Sequence, residues 1–114
     1  MKINGKEIKH DEYLTPSQAE YLDKRFETLE NYLNSKYDYA IDIEKSRQSE
    51  SRYISIPTTT ENGYQTTHEI SIRNHNTYCA ESGNVHQVIY LRDYETWTSL
   101  KKELFNIIGK YINN

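Results

Sequence analysis

The sequence predicts an α+β protein, because its two ends carry helical patterns and its middle carries strand patterns. Apolar residues recur every three or four positions in residues 15–34 and again in residues 93–111, which is the period of an amphipathic helix. In residues 37–91 apolar and polar residues alternate, as in half-buried strands. We therefore expect an antiparallel sheet of roughly three to five strands, with an N-terminal and a C-terminal helix packed on one face.

The size and composition favour one small folded domain spanning residues 1–114. The chain is polar, but its eleven tyrosines supply rings for a core. The single cysteine, Cys79, excludes an internal disulfide and favours a reducing cytoplasm. We find neither a signal-peptide pattern nor an apolar run long enough for a membrane span, so no membrane association is expected.

The first helix is predicted to begin at a capping box. Thr15 is a good N-cap, Pro16 suits the first helical position, and Gln18 completes the box. Glu20, Asp23, Glu27 and Glu30 place acidic side chains on this helix. Its core-facing stripe is expected to consist of Ala19, Leu22, Phe26, Leu29 and Leu33.

Four segments read as strands. The first alternates through Tyr39, Ile41 and Ile43, and the second, residues 53–56, is expected to stop at Pro57, which lacks a backbone donor. The pair Asn62-Gly63 predicts a turn whose threonine-rich flanks pair across it. A third strand surrounds Ile70 and Ile72. A loop over residues 74–84 then precedes the last strand, residues 85–91.

The last element is a second amphipathic helix. Asp93 is its expected N-cap, with Glu95 in the first turn. Its apolar face is expected to comprise Trp97, Leu100, Leu104, Ile107, Ile108 and Tyr111.

Three histidines and the cysteine are the obvious candidates for chemistry. His68, His75, Cys79 and His86 are zinc-ligand types, but their spacing matches no paired-ligand pattern. A thiol–imidazole pair at Cys79 would need a cationic neighbourhood, whereas Glu81 lies beside it. The common phosphate-loop and metalloprotease motifs are missing from the sequence. We therefore expect no catalytic residue, metal or cofactor. A small metal-dependent or thiol enzyme is the third interpretation that we keep, after the two given at the end of this section.

The acidic excess lies in one half of the chain. Residues 1–62 hold 9 basic and 12 acidic side chains, while residues 63–114 hold 5 of each, for a net charge of −3. This balance argues against a general nucleic-acid binder. Asp38, Asp42 and Glu44 line one face of the first strand. Such a strip is either an ordinary solvated surface or a docking site for a basic groove on a partner.

Residues 69–76 read E-I-S-I-R-N-H-N, followed by a polar loop, a strand and an amphipathic helix. This arrangement resembles small type II-A anti-CRISPR proteins of phages and mobile elements, which inhibit Cas9. The resemblance implies evasion of host defence by stoichiometric binding to a CRISPR effector nuclease, Cas9 or its guide RNA complex. It implies partner contacts from Asn74 and His75, with Arg73 beside them.

The chain departs from that family in its first half, which opens with a short segment and an acidic helix where a basic arm is expected. The departure puts the mode of action of that family in question for this chain. A second interpretation, from another class, is a small nucleic-acid-binding accessory or regulatory protein of a phage or mobile element. It would use exposed tyrosines as stacking platforms. The sequence leaves direct nucleic-acid binding and the oligomeric state open.

Overall fold

The computed structural model describes residues 1–9, 13–37, 41–45, 52–74 and 85–112. This part of the chain forms an α+β fold, which confirms the predicted class. A two-stranded sheet precedes a four-stranded sheet with the strand order β3-β4-β5-β6. The elements are β1 (Lys2–Ile3), β2 (Lys6–Glu7), α1 (Pro16–Tyr37), β3 (Asp42–Lys45), β4 (Arg52–Thr59), β5 (Gln65–Arg73), β6 (Val85–Tyr90), a 3₁₀ turn (Leu91–Asp93) and α2 (Trp97–Ile112).

The four-stranded sheet is mixed, so the prediction of a purely antiparallel sheet is wrong. β3, β4 and β5 form an antiparallel meander in which Ile54 pairs with Ile43 on one side and Ile70 on the other. β6 instead runs parallel to β5, with Ile72 opposite Ile89. Parallel neighbours need a crossover of about a dozen residues. The predicted loop over residues 74–84 lies between the two strands in the sequence, and its residues 75–84 are outside the described part of the chain.

The predicted turn at Asn62-Gly63 and the predicted strand end at Pro57 have different outcomes. The Asn62-Gly63 turn is confirmed, because Gly63 has φ +84° and the flanking threonines pair across the hairpin from β4 to β5. Pro57 does not end β4, which continues to Thr59. Among the described residues, the ladder between β3 and β4 reaches Ser55, and Pro57 is paired there with Thr67 of β5. Proline is tolerated in a strand at such positions.

The predicted start of α1 is confirmed. The Thr15 N–H donates to Oε1 of Gln18 at 2.9 Å, and the Gln18 N–H donates to Oγ1 of Thr15 at 3.3 Å. This reciprocal pair satisfies donors that a helix start leaves free. α1 ends at Tyr37, three residues later than expected.

The predicted start of α2 is wrong. Asp93 closes the 3₁₀ turn, and α2 begins at Trp97. Thr96 is the cap, because its Oγ1 accepts from the Ser99 N–H at 3.1 Å and Ser99 Oγ accepts from the Thr96 N–H at 3.2 Å. Asp93 already belongs to the 3₁₀ turn, so it does not cap α2. Thr96 is the next residue whose side chain can act as an N-cap.

The N-terminal hairpin, β1 and β2, is a feature that the sequence analysis missed. Asn4 and Gly5 both have positive φ, at +52° and +81°, as a two-residue hairpin turn requires. The hairpin buries Ile3, and the following Ile8 is buried as well. Gln18 Nε2 donates to the Lys6 carbonyl at 3.1 Å, which ties the hairpin to the start of α1.

One apolar cluster joins the hairpin, both helices and the four-stranded sheet. Phe26 of α1 contacts Trp97 of α2 edge-to-face, with ring centroids 5.0 Å apart. Arg52 of β4 lies over the Phe26 ring, 5.7 Å from its centroid. Packing of both helices on one face of the sheet stays a prediction that these contacts support. Neither described helix is long and apolar enough to cross a bilayer. The sheet contributes Ile54, Ile56, Ile70, Ile72 and Ile89 to the core, and Ile41, just before β3, is buried as well.

Candidate binding face

The acidic residues predicted on the first strand lie on β3. Asp42 and Glu44 are both exposed, and their spacing of two residues puts them on the same side of the strand. Ile43 between them is packed against the core. The third predicted member, Asp38, lies outside the described residues. β3 therefore presents two carboxylates to solvent while its apolar residue faces inward.

A third carboxylate joins them through the pairing of the strands. Asp42 lies opposite Ser55 of β4, and Ser55 lies opposite Glu69 of β5. These three residues form one row across the sheet, so Glu69 shares the face of Asp42. We call Asp42, Glu44 and Glu69 the acidic cluster.

The charges in the acidic cluster repel one another. The pKa of Glu44 is raised above its ordinary value, first by a side-chain hydrogen bond with Asp42 and then by the Asp42 charge. Burial and the charge of Glu69 raise the pKa of Glu44 further. Like charges at neighbouring positions on one face of a sheet repel one another. A cationic group beside the acidic cluster would reduce this repulsion.

The acidic residues of α1 have a different role. Asp23 forms an ion pair with Arg52 of β4. It also pairs with Lys45 of β3, whose Nζ lies 3.4 Å from Asp23 Oδ2. Glu30 Oε2 accepts a hydrogen bond from the Ile43 backbone N–H at 2.6 Å. Asp23 and Glu30 thus attach α1 to the sheet.

The same side of α1 covers the outer edge of β3. Glu30 accepts from Ile43, and Asn34 Oδ1 accepts from the Ile41 backbone N–H at 2.9 Å. An edge strand with open N–H groups is a template for adding another strand. Here α1 side chains occupy two of those donors, so a partner would meet the side chains of β3 before its backbone.

Arg73 and Asn74, predicted as partner contacts, are buried at 7% and 4% exposure. Asn74 Nδ2 donates to the Lys9 carbonyl, and the Asn74 carbonyl accepts from Arg92 Nη1 at 2.8 Å. Asn74 therefore connects the end of β5 to the N-terminal segment and to the 3₁₀ turn. His75 lies outside the described residues, so its predicted contact stays a prediction.

Two of the four candidate zinc-type residues meet at an irregularity in the sheet. The register between β5 and β6 shifts at Glu69 and Ile70. There the His68 ring stacks on His86, with centroids 5.1 Å apart, and on Tyr111 of α2, at 3.9 Å. His86 Nδ1 accepts from the Glu69 backbone N–H at 3.1 Å.

Burial lowers the pKa of His68, and the neighbouring His86 charge lowers it further, while a hydrogen bond with Gln87 partly offsets both. The packing of His68 therefore disfavours its charged form.

The structure describes only His68 and His86 of the four candidate zinc-type residues. His75 and Cys79 lie outside the described residues, and those residues contain no group of three or more side chains able to hold a metal. A cleft of about 310 Å³ lies at the start of α1, beside the N-terminal hairpin. Its buried Gln18 uses both amide atoms in hydrogen bonds to Thr15 and Lys6. These features fit structural roles.

The residue that sequence reasoning missed is Glu69, because its place in the acidic cluster depends on how distant strands pair. The alternation of side chains along β5 predicts which face of the sheet Glu69 lies on, but not which residues of other strands lie beside it. Comparison of the chain with family models, curated proteins and solved structures finds no match. Functional inference therefore starts from the acidic cluster and from the resemblance at residues 69–76.

Proposed function

We propose that this protein is an anti-CRISPR inhibitor that binds a host effector nuclease, Cas9 in the first instance, through the acidic cluster on its sheet. It acts by stoichiometric occlusion in the bacterial cytoplasm, without turnover. The observation that carries the proposal is the row formed by Asp42 and Glu69, with Glu44 beside it.

The support from the structure is electrostatic. Three carboxylates share one face of the sheet, two on β3 and one on β5, and the charges of Asp42 and Glu69 both raise the pKa of Glu44. A purely structural surface has no need of this arrangement, whereas a docking surface gains from it when a basic partner arrives. Asp23, by contrast, already pairs with Arg52 and Lys45.

The support for the partner comes from nuclease chemistry and from the resemblance. Cas9-type enzymes hold the guide–target heteroduplex in a positively charged channel. An acidic face that enters such a channel competes with phosphates for the same cations, and opposite potentials speed the encounter. The resemblance at residues 69–76 favours a CRISPR nuclease over other proteins with basic grooves.

The test is cleavage of target DNA by Cas9 loaded with guide RNA, at increasing ratios of this protein. We expect cleavage to stop near equimolar protein. The variant Asp42→Asn with Glu44→Gln should lose most of the inhibition, because two of the three carboxylates become neutral without a change in shape. Its melting temperature should stay at or above that of the wild type, because the substitution removes a repulsion.

The matched control is Glu61→Gln with Glu95→Gln, which removes the same charge from two exposed residues outside the cluster. It should inhibit as the wild type does. Complete cleavage at large molar excess across several Cas9 orthologues would overturn the nuclease proposal. Equal loss in both double variants would show that overall charge, and not the acidic cluster, is responsible.

A further inference from the structure

One side of α1, next to α2, carries aromatic and basic residues, unlike the side that contacts β3. At 3.6 residues per turn, Tyr21, Arg25, Tyr32 and Lys36 fall within an arc of about 60° around the helix axis. Arg25 Cζ lies 4.1 Å from the Tyr21 ring centroid, and Lys36 Nζ lies 5.8 Å from that of Tyr32. Each cation thus sits beside a ring one helical turn away.

α2 extends this side of α1. Its Phe105 ring lies 5.7 Å from the Tyr32 ring, tilted by 57°. Lys101 is one turn before Phe105 on the same side of α2. Tyr32 is 48% exposed, and Arg25 and Lys36 are exposed as well. We call Tyr21, Arg25, Tyr32, Lys36, Lys101 and Phe105 the basic-aromatic seam.

The side of α1 that contacts β3 and the side next to α2 differ in charge. Asp23 and Glu30 face β3 and are bound there, while the arc from Tyr21 to Lys36 contains no acidic residue. On α2, Glu103 lies nearly opposite Phe105 around the helix axis. In a chain of net charge −3, the seam is therefore locally cationic.

We propose that the basic-aromatic seam binds single-stranded nucleic acid. Lysine and arginine at the seam contact phosphates, and the rings stack on unpaired bases, which present a π-face whatever their sequence. Tyr21 and Lys36 are about 22 Å apart along the helix, at 1.5 Å per residue, which gives room for several nucleotides.

The alternation of rings with cations favours a single strand over the other anionic partners. A duplex offers phosphates but hides its base faces, and an acidic peptide needs the cations but not the exposed Tyr32 ring, which the half-buried Tyr21 and Phe105 flank. This inference does not depend on the acidic cluster, which lies on the sheet, or on the nuclease proposal.

The experiment is a fluorescence anisotropy titration of the isolated protein with a labelled oligouridylate of about ten nucleotides, and with the matching oligodeoxythymidylate. We expect binding that weakens with salt, at a slope of about −2 in log affinity against log salt for three phosphate contacts. A hairpin duplex of equal charge should bind more weakly. The variant Tyr32→Leu should lower affinity at least about fivefold, and Arg25→Gln with Lys36→Gln should flatten the salt slope.

The control is Tyr64→Leu with Lys24→Gln, which removes an exposed ring and an exposed cation outside the seam. It should bind as the wild type does, and circular dichroism checks that all variants stay folded. Failure of the wild type to bind either oligonucleotide at low salt would overturn the proposal. Equal affinity for the duplex, equal loss in the control, or equal competition by polyglutamate would also overturn it.

Discussion

The replacement of Phe26 by alanine tests how the helices pack. Phe26 is only 3% exposed, meets Trp97 edge-to-face and has Arg52 over its ring. Transfer of a buried phenylalanine side chain contributes about 1.5–3 kcal/mol. The lost ring pair adds about 0.5–1.5 kcal/mol, and the cavity brings the expected cost to about 3–5 kcal/mol. That is a large part of the roughly 5–15 kcal/mol that stabilises a domain of this size.

Thermal unfolding followed by circular dichroism measures the effect. A loss of this size should lower the melting temperature of Phe26→Ala by roughly 10–20 °C. Phe26→Leu is the matched control, because it keeps most of the apolar volume and should cost less than about 1.5 kcal/mol. A Phe26→Ala variant that melted within about two degrees of the wild type would refute the packing of α1 against α2 and β4.

Two further predictions concern the histidines. The lowered pKa of His68 means that the unfolded chain binds a proton more readily than the folded one, so the free energy of unfolding should fall as the pH drops below about 6.5. Melting temperatures across this range should show a shallower fall for His68→Gln, and an unchanged slope would contradict the assignment. We also expect no stoichiometric zinc in the purified, untagged protein. Elemental analysis that found a zinc ion per chain, lost in Cys79→Ala, would revive the metal-enzyme interpretation.

Features set by neighbouring residues were predictable from the sequence. The capping box at Thr15 and Gln18 forms as expected, and the Asn62-Gly63 turn connects β4 to β5. Capping hydrogen bonds span three residues, so the sequence around them contains the necessary information. The turn at Asn4 carries the same Asn-Gly signal and was recognisable by the same rule.

Features that depend on long-range pairing were not predictable. Both parallel and antiparallel neighbours for β5 satisfy the alternation of Ile70 and Ile72, so the parallel partner β6 has no local signal. For the same reason the alignment of Glu69 with Asp42 appears only once the registers are known. The burial of Asn74 likewise depends on Lys9, far away in the sequence.

The measurement that tests the central claim most directly is the association rate of this protein with guide-loaded Cas9 as a function of salt. If the acidic cluster steers docking, the association rate of the wild type should fall with increasing salt while the dissociation rate changes little. The variant Asp42→Asn with Glu44→Gln should associate more slowly and with a flatter salt dependence. An identical salt dependence in the two proteins would contradict the claim that Asp42 and Glu44 face the partner.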